Sequence, residues 1–127
     1  MVVHEMKLAV EPFEKIRNRE KDIEMRLYDD KRQLIKVGDR IRFSNMVTDE
    51  RLLVDVIGLK VFENFEELYA YYPKERLGYK ENEIANADDM NQYYPYGLRV
   101  VYQVIAIEIK PVHQMRAKKA TITRVER

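Results

Sequence analysis

Lys21-Asp22-Ile23-Glu24-Met25-Arg26-Leu27, followed by Ile35-Lys36-Val37-Gly38-Asp39 and then Ile41-Arg42-Phe43, is the stretch on which the reading of this chain turns. In its first part Ile23, Met25 and Leu27 alternate with Glu24, Arg26 and Tyr28, a period of two that predicts a β-strand with one apolar face. Alternation puts Glu24 and Arg26 on the same side, about 7 Å apart along the strand. Lys21 stands just before the strand, where a flexible side chain reaches the same region. A carboxylate between two cations offers an acceptor to a base edge or carboxamide and donors to a phosphate. An ordinary ion pair on a polar sheet face is the alternative that the spacing leaves open. Val37-Gly38-Asp39 reads as a turn in which Gly38 is free to take a positive φ, and Arg40 to Phe43 as the next strand.

Around this stretch the period of the apolar residues changes from element to element. A short helix is expected from Glu11, with Pro12 at its first turn and Phe13 and Ile16 forming a buried stripe. Leu52 to Val61 predicts a long strand buried on both faces, as in a small barrel, with Gly58 marking a bend or bulge. Two helices should follow. Asn64-Phe65-Glu66-Glu67 has the form of an N-cap with a carboxylate three residues on, and Pro73 closes that helix; Asn86-Ala87-Asp88-Asp89 repeats the form before Pro95. Arg99 to Ile109 is rich in β-branched residues and predicts the last long strand. This order of helix, strands, helices and strand fits a mixed barrel of the α+β class and departs from regular βαβ alternation.

The composition sets limits. A chain of 127 residues fits one domain with its own core. The absence of cysteine excludes disulfides, thiolate zinc sites and cysteine nucleophiles. His4 and His113 lie near opposite ends without ligand spacing, so neither a metal nor another cofactor is expected. Walker, dinucleotide and nucleophile-elbow motifs are all missing. No run approaches the roughly 18 apolar residues of a membrane span, and Met1 to Met6 lacks the form of a leader, so the expectation is a cytoplasmic protein. Residues 15–42 and 110–127 are basic while 43–98 are acidic, a distribution that suits either a polyanion-binding face or a merely well-solvated surface. Eight of the nine tyrosines fall between Tyr69 and Tyr102. Most should pack the core edge, whereas Tyr79 and Tyr96, in expected loops, are placed to stack on a ligand.

Taken together, these motifs resemble the ASCH family of the PUA-like superfamily. Its signature is similar to a Gly-x-Lys-Thr-x-Glu-x-Arg run followed by a hydrophobic-x-Val-Gly-Asp turn. Lys21, Glu24 and Arg26 stand in its Lys, Glu and Arg places, and Ile35 to Asp39 supply the turn. The resemblance continues through Leu77-Gly78-Tyr79, Tyr93-Tyr94-Pro95 and Val104 to Ile109. Two positions depart from it: Arg19 replaces the Gly and Asp22 the Thr. The resemblance implies a small mixed β-barrel with flanking short helices over residues 1–110, followed by a basic extension over 111–127, either an edge strand or a tail. It also implies a cleft for RNA or a modified nucleoside, and the leading expectation is a binding module or RNA-processing accessory domain with Lys21, Glu24 and Arg26 at the cleft floor and basic residues such as Arg40 and Arg42 at its rim.

Some relatives hydrolyse N4-acetylcytidine with a Lys, a Thr and a distant Glu, and some are linked to RNA cleavage. Lys21 matches that Lys, Glu24 occupies the Thr position, and Glu81 and Glu83 lie in the neighbourhood of the distant Glu. An amidohydrolase or ribonuclease is therefore the alternative, with Glu24 activating water, Lys21 steadying the oxyanion and Arg26 positioning the substrate. Protein partners are not legible in the sequence.

Overall fold

The computed structural model of the chain describes residues 1–113. One curled five-stranded sheet forms a half-barrel in the order β1-β3-β4-β5-β2. Its strands are β1 (Val3–Leu8), β2 (Ile23–Leu27), β3 (Arg40–Asn45), β4 (Arg51–Phe62) and β5 (Val104–Pro111). β1 pairs with β3 in parallel, and the other neighbours are antiparallel. Helices α1 (Val10–Arg17), α2 (Phe65–Tyr71) and α3 (Tyr96–Arg99) flank the sheet, with 3₁₀ turns at Arg32–Leu34, Lys74–Leu77 and Ala87–Gln92. The two edge strands, β1 and β2, are linked where Arg26 Nη2 on β2 donates to the Lys7 carbonyl on β1 at 2.9 Å.

Local chemistry accounts for most of the boundaries. α1 ends in a Schellman motif: Arg19 N donates to Ile16 O at 3.1 Å and Glu20 N to Lys15 O at 2.7 Å, with Arg19 at φ 63°. Arg19 thus holds a left-handed helix terminus, a conformation that glycine takes without strain. Gly38 takes φ 98° in the expected turn. Gly58 sits at a register shift in the β4–β5 ladder, where a Cβ would lie 2.8 Å from Glu108 Oε1, so the anticipated bulge is also a close approach. Asn64 caps α2 by accepting from Glu67 N at 2.8 Å.

Four expectations need correction. The amino-terminal residues form a strand, β1, whose start is tied down by Asp39. Asp39 accepts from Val2 N and Lys36 N and meets His4 Nε2 at 2.9 Å, and these bonds, with His4 foremost, hold its carboxyl down from 3.8 to about 2. The second helix is a 3₁₀ turn, Ala87–Gln92. β5 begins at Val104, because Arg99 ends α3 and turns inward to Glu66 Oε2 at 2.9 Å, overriding the β-propensity of Val100 and Val101. The charged face of β2 is not a solvated sheet face, since all five residues of the strand are buried. The expected extension from residue 111 begins within β5, and its residues 114–127 lie outside the described residues.

Two apolar clusters flank the sheet. The barrel interior holds Ile41, Phe43, Val54, Val56, Ile105 and Ile107 among others. The second lies between the outer face of β2 and β5 and the covering segments, and includes Ile23, Met25, Leu27, Phe65, Leu68 and Met90.

Candidate functional site

In the β2–β5 ladder Glu24 pairs with Ile107 and Arg26 with Ile105, so both charged side chains lie on the barrel-interior side of the sheet. Ile23, Met25 and Leu27 turn the other way into the second cluster. Arg26 Nε donates to Glu24 Oε2 at 2.7 Å, and Lys21 Nζ lies 3.8 Å from Glu24 Oε1. Lys21 also donates to Leu77 O at 3.3 Å, and Lys15 to Gly78 O at 2.8 Å, so two lysines fasten the turn that closes one wall. None of the three charged residues is more than 9% exposed: Lys21 7%, Glu24 5% and Arg26 9%.

Burial this deep makes an ion pair costly unless its partners are close and well directed. Desolvation lowers the Lys21 ammonium pKa, and the opposing pull of Glu24 does not offset it. Burial acts the same way on Arg26, but Glu24 and then Tyr94 outweigh it and raise the guanidinium. The trio thus holds one firmly charged arginine, one carboxylate and one lysine whose charge is destabilised.

These groups form the floor of a cleft of about 710 Å³ between α1, β2 and the segments after α2. Tyr79 closes the far side: its hydroxyl donates to Asp89 Oδ2 at 2.6 Å and lies 3.0 Å from the Tyr69 hydroxyl. Burial, and then these two bonds, push the Tyr79 phenol well above its ordinary range, so it serves as a neutral donor. Tyr93 and Tyr94 complete the aromatic lining, both raised by burial. Among the described residues no group of His, Cys, Asp and Glu is arranged to hold a metal ion.

Of the residues singled out in the sequence, Lys21, Glu24, Arg26 and Tyr79 meet in this cleft. Arg40 and Arg42 do not line it. They lie on β3, where Arg40 pairs with Asp55 at 2.8 Å and Arg42 with Glu5 at 2.5 Å. Tyr96 opens α3 as a largely exposed ring beside the Arg99 guanidinium, also away from the cleft lining. Glu83 lines the cleft, and Glu81 a neighbouring groove. Sequence reasoning missed Lys7, Lys15, Arg32 and Tyr69. Only Lys15 had a usable signal, its position one helical turn after Glu11, with which it pairs at 3.6 Å.

The model of the ASCH domain matches residues 6–113. The fold is shared with the crystal structure of hypothetical protein PH0355, at 33% identity and TM-score 0.73 over 87% of this chain and all of that one. Protein PF0455 from Pyrococcus furiosus, solved by NMR, is 32% identical with TM-score 0.66, covering 89% of this chain and all of that one. The ASCH protein of Zymomonas mobilis shares the fold at 13% identity and TM-score 0.62, over 98% of this chain and 81% of that one. No curated protein matches the chain. A family match spanning most of the sequence, and a half-barrel fold shared with relatives at 33% and 32% identity, place this chain in the ASCH domain family.

Proposed function

We propose that the cleft binds a nucleobase, either within RNA or as a modified nucleoside, with Lys21, Glu24 and Arg26 contacting its polar edge and Tyr79 and its neighbouring tyrosines flanking the ring. The observation that carries this reading is the buried Glu24 carboxylate between two cations at the floor of an aromatic-walled cleft. Glu24 Oε2 is engaged by Arg26, whereas Lys21 stands beyond hydrogen-bond distance of Oε1, so Oε1 retains capacity to accept from a base N–H. Stacking on an aromatic wall adds roughly 1 to 3 kcal/mol per base. Calorimetric titration with a panel of ribonucleosides, acetylated cytidine and short single-stranded RNA tests the proposal. Binding should occur at low salt, and the RNA affinity should fall as salt rises. A panel in which nothing binds at low salt overturns it.

A second reading, hydrolysis of an acylated nucleoside or of RNA, is favoured by one specific feature. Lys21 is a buried lysine whose ammonium is destabilised, a state common among catalytic lysines. Glu24 would activate water and Lys21 steady the developing oxyanion. Incubation with acetylated cytidine and labelled RNA decides, since no product above a Lys21→Ala control eliminates this reading.

A further inference from the structure

We infer that the main chain of β2 reads the ligand together with its side chains: the outward N–H and C=O of Met25 pair with an acceptor and a donor on the edge of a planar nucleobase. This rests on the nucleobase reading above and specifies how the base is held.

The inference follows from the hydrogen-bond phase of the two edge strands. Ile109 N donates to Asp22 O at 3.0 Å and Tyr28 N to Gln103 O at 2.8 Å, so within the strand Glu24 and Arg26, in the same phase, turn their main chain toward β5, while Asp22 N itself goes to Arg76 O at 3.1 Å. Antiparallel pairing then directs the main chain of Ile23, Met25 and Leu27 to the opposite, open edge. Among the described residues, nothing bonds to the main chain of these three from that side. Yet they are buried, at 0%, 6% and 5% exposure. Buried amides without partners are rare in folded proteins, and Met25 is the one of the three that lines the cleft.

β1, facing across the seam, is treated differently. Arg40 N donates to Val2 O and Met46 N to Leu8 O, which leaves the main chain of Glu5 and Lys7 turned outward. Both outward carbonyls are capped by side chains, Glu5 O by Lys31 Nζ at 2.8 Å and Lys7 O by Arg26 Nη2 at 2.9 Å. The outward N–H groups of Glu5 and Lys7 belong to exposed residues that water reaches, so the buried open main-chain groups of this seam are those of β2.

The seam also selects the kind of ligand. An added peptide strand needs a continuous edge, and the Arg26 side chain crosses from β2 to β1 in its path. A short planar group fits beside that crossing. The amide or amidine edge of a nucleobase presents a donor next to an acceptor. One extended residue presents the complementary pair, as strands do to each other. The main chain would fix the plane and orientation of the base, leaving Glu24 and Lys21 to select its identity.

Amide hydrogen exchange of the isotope-labelled chain, followed by NMR with and without saturating adenosine, guanosine, cytidine or uridine in turn, tests this. For a nucleoside that binds, exchange at Met25 should slow by at least about tenfold, while the ladder amide of Ile109 is unchanged. Binding that is lost in Lys21→Met but leaves Met25 exchange unaltered overturns the main-chain contact and leaves the proposed function standing. Strong protection of the Met25 amide in the free protein also overturns it, because the group would then already have a partner. Failure of all four nucleosides and of short single-stranded RNA to bind removes both the contact and the function it rests on.

Discussion

Strand β2 reads Ile23-Glu24-Met25-Arg26-Leu27 and strand β3 opens with Arg40-Ile41-Arg42-Phe43, the same alternation of apolar and charged residues. Yet every residue of β2 is buried, while the β3 arginines stay partly exposed. In β3 the apolar side chains, Ile41 and Phe43, enter the barrel and the charges point out, to form partly exposed pairs with Asp55 and Glu5. β2 is turned over. Its aliphatic face packs into the second cluster, and its charges face the barrel side beneath the cleft. A strand with a second apolar layer over its outer face no longer needs its aliphatic side in the barrel, so its charged side is free to build a site.

The contrast is broken most directly at the two arginines. Arg26→Ala should destabilise the protein by about 3 to 5 kcal/mol, because it leaves the Glu24 carboxylate buried with only Lys21 near it. Arg40→Ala, removing a partner from a half-exposed pair, should cost no more than about 1 kcal/mol. Urea unfolding of both variants measures the difference, and equal costs would show that the two strands do not differ as described.

Glu24→Gln sharpens the comparison. The substitution keeps an acceptor but leaves two buried cations facing a neutral group, so a loss of about 2 kcal/mol in stability is expected alongside weakened ligand binding. Near-wild-type stability would indicate a solvated carboxylate. Arg19→Gly should act in the other direction, gaining about 1 kcal/mol by relieving a left-handed conformation that glycine adopts freely. A thermal melt showing no rise would mean that the Arg19 side chain compensates for its backbone.

The smallest expected effect is confined to β1. Its start is tied to Asp39, whose carboxyl is lowered from 3.8 to about 2 in the folded chain. The unfolded chain therefore binds more protons in this window, so the contribution of Asp39 is complete above the ordinary value and is lost as pH falls toward 2. Acid titration followed by NMR should show the amides around Val2 and Lys36 responding in that window, before the β3–β4 ladder.

Much of the scaffold was legible because its signals are local. Alternation marked β2, the Gly38 turn the start of β3, Gly58 the bulge, and Asn64 the start of α2, each through conformational preferences that act within a few residues. The signature positions Lys21, Glu24 and Arg26 were likewise readable and do meet in one cleft. β1 was not, because its pairing is parallel to a strand more than thirty residues away and leaves little pattern of its own. Nor was the length of β5, since the β-branched residues before Val104 lie in an exposed connection fixed by the inward turn of Arg99. The sequence by itself determined which residues could be strands and which charges travel together. Only the tertiary structure decided which face of each strand is covered, because that depends on α2 and the 3₁₀ turns packing over β2 and β5 from far along the chain. That choice buries Glu24 and Arg26 and leaves Arg40 and Arg42 outside.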